Sequence, residues 1–167
     1  MNSSTEIPEF GTKRENEERR DGGCAIVFDP ETKRYAVGRH TADGKLRLFS
    51  GGVGDDEDIQ AGILREVVEE SGLHDFSHVE VIGEAFTHYY NILKKVNRVG
   101  KATCLLVILK SRNLVETKLE EHEKFTLAWV TAEELFSNWN AHNETNNYDH
   151  WIYFMNIAVR RLKELGY

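Results

Sequence analysis

The sequence predicts an α/β fold, an α/β/α sandwich with a mixed central sheet, on three observations. Apolar strand-like runs alternate with helical segments, but not as a regular βαβ series. The first two runs, "CAIVF" and "RYAVG", flank a turn at Asp29-Pro30-Glu31, so they read as an antiparallel hairpin. "ATCLLVIL" (Ala102–Leu109) is almost wholly apolar, the pattern of a strand covered on both faces and therefore central.

The elements follow in order. Residues 1–20 are polar, charged and aperiodic, and are expected to form a flexible, dispensable tail before a folded domain at 21–167. The apolar group Ile7–Phe10 is too short for a helix face, though long enough to dock as an isolated edge strand. After the hairpin, "KLRLFSGGVG" is a short strand running into a glycine-rich loop. A helix is predicted from about Asp58 to Ser71, with Asp55 and Asp56 as candidate N-caps and Gly72 as its stop. "HVEVIGEAFTHYY" and "GKATCLLVILKS" are strands. "FTLAWVTAEELF" is a strand entering a helix, with Thr131 and Glu134 spaced for a capping box. Asn138–Trp151 reads as a polar connection, and "DHWIYFMNIAVRRLKELGY" as a closing amphipathic helix.

Composition narrows the function classes. The chain has 167 residues and a net charge of −7. That balance argues against an extended nucleic-acid surface, and an acidic protein needs local positive charge or a metal to hold an anion. No apolar run approaches the roughly 20 residues of a membrane span. The N-terminus lacks an apolar signal core, so a cytoplasmic location is expected. Cys24 and Cys104 lie in apolar stretches and are expected to be buried free thiols. Monomer and homodimer are equally compatible with the sequence.

The chemistry concentrates in Gly51–Leu73, "GGVGDDEDIQAGILREVVEESGL". On a helix Glu66 and Glu70 lie about 40° apart with Glu69 beside them. Like charges at this spacing cost a helix a few tenths of a kcal/mol, so they face water or gather a cation. Ile63, Leu64, Val67 and Val68 cover an adjoining arc, which puts the carboxylates at the edge of a buried helix. Hard oxygen donors suit Mg²⁺ or Mn²⁺ shared with substrate phosphates. An acidic run is ordinarily a solvated face, but the spacing here is specific. Gly51, Glu57, Arg65, Glu66, Glu69, Glu70 and Gly72, with aliphatic Val67 and Leu73, fit one pattern whose chance occurrence is on the order of 10⁻⁸ per window. That pattern is the Nudix box, and the chain resembles a Nudix hydrolase over about residues 21–167, including a late "WVTAEEL" (Trp129–Leu135).

The resemblance implies a Nudix-type sandwich and a hydrolase that cleaves the diphosphate bond of a nucleoside diphosphate linked to another group. Its implied cofactor is Mg²⁺ or Mn²⁺ on Glu66 and Glu70. Glu69 is a further ligand or the base that orients water, Arg65 and Glu57 support the site, and the backbone at Ser50-Gly51 adds a carbonyl ligand. A later acidic residue is recruited in many members; Glu123 is the candidate here, with Glu120 and Glu121 beside it. The chain departs from the family in its loop, where Phe49-Ser50-Gly51 replaces the usual Pro-Gly-Gly and Gly54 replaces a glutamate.

A second segment, Thr87–Lys101, is cationic in an acidic protein. It is similar to a segment of Nudix modules appended to some bacterial aminoacyl-tRNA synthetases. Lys95, Asn97 and Arg98 are expected to grip substrate phosphates, and Tyr89 and Tyr90 to stack on a base. The implied partner is a small nucleotide-type diphosphate. The competing class is a non-catalytic Nudix-like module that binds a nucleotide or a partner.

Overall fold

The computed structural model describes residues 6–167. In chain order these form β1 (Glu9–Gly11), β2 (Glu18–Arg19), β3 (Gly22–Asp29), β4 (Arg34–His40), β5 (Leu46–Arg47) and β6 (Phe49–Gly52). Then come α1 (Ile59–Ser71), β7 (Phe76–Asn91), β8 (Val96–Leu109), β9 (Phe125–Val130), α2 (Ala132–Ala141) and α3 (Asp149–Glu164). The strands make one sheet of order β1-β7-β8-β3-β4-β5, with β2 on β8, β6 on β3 and β9 on β4. β3 runs parallel to β8, whereas the β3–β4 and β7–β8 pairs are antiparallel, so the sheet is mixed.

Alternation along the two central strands builds two cores. Cys24, Ile26 and Phe28 of β3, with Cys104, Leu106 and Ile108 of β8, pack against Leu135 and Trp139 of α2 and Phe154, Met155 and Leu162 of α3. The intervening Ala25, Val27, Leu105, Val107 and Leu109 pack against Ile63 and Val67 of α1. Each large apolar side chain so buried contributes roughly 1.5–3 kcal/mol. The two cysteines are buried and free, and they are register neighbours on parallel strands.

Helix ends follow local chemistry. The N-cap of α1 is Asp58, whose carboxylate accepts from the Ala61 N–H at 3.0 Å, rather than Asp55 or Asp56. The helix opens at Ile59, so the two earlier aspartates precede its first turn. Gly72 ends it at φ 81°, a left-handed position that suits glycine. Thr131 and Glu134 close the expected capping box on α2. Half of the polar stretch 138–151 is helix; residues 142–148 connect α2 to α3. Asn143 ties that connection, accepting from the Tyr148 N–H at 2.9 Å and donating to Asp149 at 2.7 Å.

The stretch expected as a free tail is, from residue 9 onward, joined to the sheet. β1 pairs with Phe86–His88, and β2 lies against Arg98 and Val99 in line with β3. The reason is the length of the β7–β8 hairpin. Its far half extends beyond β3 and would leave open backbone edges, which the two short strands occupy. Side chains reinforce the pairing. Phe10 packs on Tyr153 with ring centroids 5.4 Å apart, and the buried Glu17 carboxylate meets His88 Nδ1 at 2.7 Å. Residues 1–5, also assigned to the tail, lie outside the described residues.

Deleting residues 1–20 should therefore lower the melting temperature by more than about 5 °C, since 1 kcal/mol moves a chain of this size by about 2–4 °C. Calorimetry of 21–167 beside the full chain checks this; melting points within a degree of each other would show that the segment adds nothing.

Candidate active site

Ile63 and Val67, both fully buried, fix how α1 rotates on the sheet. That rotation turns Glu66 and Glu70 toward β6 and buries Glu70 to 3 % exposure. The Ser50 N–H donates to one Glu70 oxygen at 2.8 Å, and Arg47 Nη2 donates to the other at 3.0 Å. Arg47 is itself held: it donates to Ser50 Oγ at 3.2 Å and lies 4.5 Å over the Phe125 ring. Glu66 packs directly on Gly51, where an added Cβ would stand 2.4 Å from the Glu66 carboxyl carbon. Arg65 forks onto Glu57 at 2.8 and 3.1 Å, and reaches Glu66 at 3.1 Å and Glu69 at 3.2 Å.

Burial dominates the electrostatics. It pushes the Glu70 carboxyl up to about 9, and the adjoining Glu123 carboxyl adds to the rise; Arg47 and the Ser50 N–H offset only part of it. The two adjoining carboxyls thus shift in opposite directions, Glu70 up and Glu123 down. Burial likewise raises Glu66, against the pull of Arg65. Arg65 lowers Glu57. Glu123 sits in a turn with its Oε1 accepting from the Glu120 N–H at 3.0 Å, and the ligand atoms of Glu120, His122 and Glu123 lie within 4.8 Å of one another.

Gly51, Glu57, Arg65, Glu66, Glu69, Glu70 and Glu123 are therefore brought into one linked cluster. Its buried members are carboxyl oxygens that repel one another, and a hard divalent cation suits that donor set. Arg47, which holds the most buried glutamate, lay outside the sequence reasoning. Its position in "KLRLFS" carries no spacing signal; only the return of β5–β6 past α1 brings it to Glu70.

A cavity of about 1120 Å³ opens on the other face of β6. Successive strand residues point to opposite faces, and Gly51 meets Glu66 while Gly52 meets the Arg20 guanidinium. Tyr89, Tyr90 and Arg98 line the cavity. Lys95 and Asn97, expected beside them, do not. Lys95 occupies a left-handed turn position at φ 55°, and Asn97 donates its amide to the Glu15 carbonyl at 2.9 Å, tethering the N-terminal segment. Arg98 is mostly buried; it lies 3.7 Å from Glu18, and its Nε has no partner. The opposite wall includes His150 and Trp151. Burial pushes the His150 imidazole down to about 4, so it is neutral at pH 7.

A family model for the NUDIX domain matches residues 18–152. The chain belongs to the Nudix family. A curated Nudix relative, Nudix hydrolase 6 of Arabidopsis thaliana, is 28 % identical over 158 residues, covering 91 % of this chain and 52 % of the relative. The chain thus spans about half the length of the curated relative it matches. Among solved Nudix structures, the NUDIX domain of Shewanella oneidensis NrtR, complexed with ADP ribose, aligns with a TM-score of 0.54 at 10 % identity, covering 72 % of this chain and 78 % of that one. A MutT protein from Methanosarcina mazei Go1 aligns at 0.48 and 18 % identity, covering 92 % and 100 %. Among the described residues, no helix is long and apolar enough to cross a membrane.

The Gly51–Glu66 contact gives a direct test. Gly51→Ala should destabilise the fold by about 1–3 kcal/mol through overpacking. The same substitution on a Glu66→Ala background should cost under about 0.5 kcal/mol, because the clashing group is gone. Urea denaturation of the four proteins measures the cycle, and additive losses would show that the contact is not the cause.

Proposed function

We infer that this chain is an Mg²⁺- or Mn²⁺-dependent hydrolase that cleaves the diphosphate bond of a nucleoside diphosphate linked to another group. The observation that carries the reading is the carboxyl cluster of buried Glu70 with half-buried Glu66 and Glu123, across β6 from a cavity large enough for a nucleotide. Glu66 and Glu70 would hold the cation, with Glu69, Glu123 and a backbone carbonyl near Gly51 as further donors. A divalent cation bound there supplies charge neutralisation for the leaving phosphate and acidifies bound water.

The chain's own residues do the rest. Arg47 and the Ser50 N–H hold Glu70 in place from both oxygens. Arg65 sets Glu57, Glu66 and Glu69 relative to one another. Glu69, with one oxygen on Arg65 and its side chain about a third exposed, keeps the other oxygen free to ligate or to orient the attacking water. Tyr89 and Tyr90 offer flat surfaces to a base, and Arg98 offers a buried N–H to a phosphate. Intact Glu66, Glu69 and Glu70 weigh against a module that only binds.

Wild-type protein should hydrolyse members of a panel of nucleoside diphosphate derivatives with Mg²⁺, and lose turnover in EDTA. Glu70→Gln should cut kcat by a hundredfold or more, on the order seen for key electrostatic groups. Phosphorus NMR of the products reads this, and unchanged Mg²⁺-dependent turnover in Glu70→Gln would overturn the assignment. Binding without cleavage across the whole panel would favour the non-catalytic alternative.

Cavity lining predicts a split within the hairpin. Arg98→Ala should raise KM by about tenfold with kcat retained, the loss of one charge-assisted hydrogen bond. Lys95→Ala should leave KM within about twofold, as for a surface cation. Steady-state kinetics on the best panel substrate separates them; equal effects would remove the distinction.

A further inference from the structure

The Gly51–Gly52 pair leaves the end of β6 without side chains on either face, so two opposite charges approach the same short backbone. Glu66 rests on Gly51 from one face. From the other, the Arg20 guanidinium rests on Gly52, where an added Cβ would stand 2.6 Å from Nη2 and 2.7 Å from Nε. Arg20 lines the cavity together with Ser50, Gly51 and Gly52. Its backbone is clamped: the Arg20 N–H donates to the Val99 carbonyl at 2.9 Å, and its own carbonyl presses on Gly100, where a Cβ would come within 1.9 Å of the oxygen. Its neighbour Arg19 is paired with Asp21 at 2.5 Å, and Arg98 lies 3.7 Å from Glu18. Arg20 has no carboxylate within 4.0 Å among the described residues.

We propose that Arg20 is a substrate-binding residue whose guanidinium takes a phosphate of the nucleotide's diphosphate group across the Gly51–Gly52 backbone from the acidic helix. The inference rests on the hydrolase reading only for the choice of ligand. An unpaired guanidinium, exposed at the wall of a nucleotide-sized cavity on a clamped backbone, is a phosphate donor fork. The glycine pair explains how it works beside a carboxylate cluster. Backbone alone separates the two charges, so Arg20 would take one phosphate of a diphosphate while the carboxylates would hold a cation that neutralises the other. Side chains at either glycine would push one partner away.

The test is titration calorimetry of the full chain with ADP and with adenosine, with and without Mg²⁺. Arg20→Gln should weaken ADP by about tenfold in both conditions, the loss of one charge-assisted hydrogen bond, and leave adenosine unchanged. Arg160→Gln, the same charge loss on the exposed face of α3, should change ADP by less than twofold. If Arg20→Gln melts early, Arg20→Met, which keeps the stem along Gly52, carries the same comparison. ADP affinity at the wild-type level in the Arg20 variant, an equal loss in Arg160→Gln, or wild-type protein that binds ADP no tighter than adenosine would each overturn the proposal. Protein that binds ADP through Arg20 but cleaves no diphosphate fails the hydrolase reading and keeps this one. Cleavage with undiminished ADP affinity in Arg20→Gln fails this one alone.

Discussion

The site depends on how closely α1 can approach β6. Ile63 and Val67 drive the helix onto the sheet, and the absence of a side chain at Gly51 lets it arrive with Glu66 in contact with the strand backbone. A Cβ at that position would stand 2.4 Å from the Glu66 carboxyl carbon, so the strand and the Glu66 side chain could not both keep their places. Hydrophobic burial and carboxylate placement are thus one event here. The apolar stripe provides the energy, and the glycine sets the distance at which it is realised.

Such packing carries an electrostatic cost. A carboxylate with 3 % exposure has lost most of its hydration, and a second carboxyl beside it makes matters worse. The fold offsets this with Arg47 and Arg65, each fixed by more than one contact. The two arginines differ in setting. Arg65 is half-exposed and ties three glutamates on or before the same helix, whereas Arg47 comes from the sheet and lies on an aromatic ring. Arg47 offsets only part of the rise that burial imposes on Glu70.

Much of this could be read from the chain, for identifiable reasons. The box residues lie within 23 positions of one another, and helical spacing alone predicts which carboxylates meet. The central strand was recognisable because burial on both faces leaves an unbroken apolar run. What escaped depends on long-range pairing. Arg47 reaches Glu70 across 23 residues through the return of a strand. β1 and β2, at three and two residues, are too short to show a period, and they form only because a distant hairpin presents an unpaired edge. Lys95 and Asn97 were grouped with Arg98 by composition, but turn geometry and the Glu15 tether separate them.

The N-terminal segment has a kinetic meaning as well. β1 and β2 pair in parallel with residues nearly eighty positions later, so their contacts close a long loop, which slows pairing. They are also short, exposed and mostly backbone, the profile of a unit that opens below the global unfolding energy. One wall of the cavity is therefore built from strands of two and three residues. The two cores and the acidic cluster are built from other strands and helices, so the cavity joins a thinly held wall to a firmly packed one.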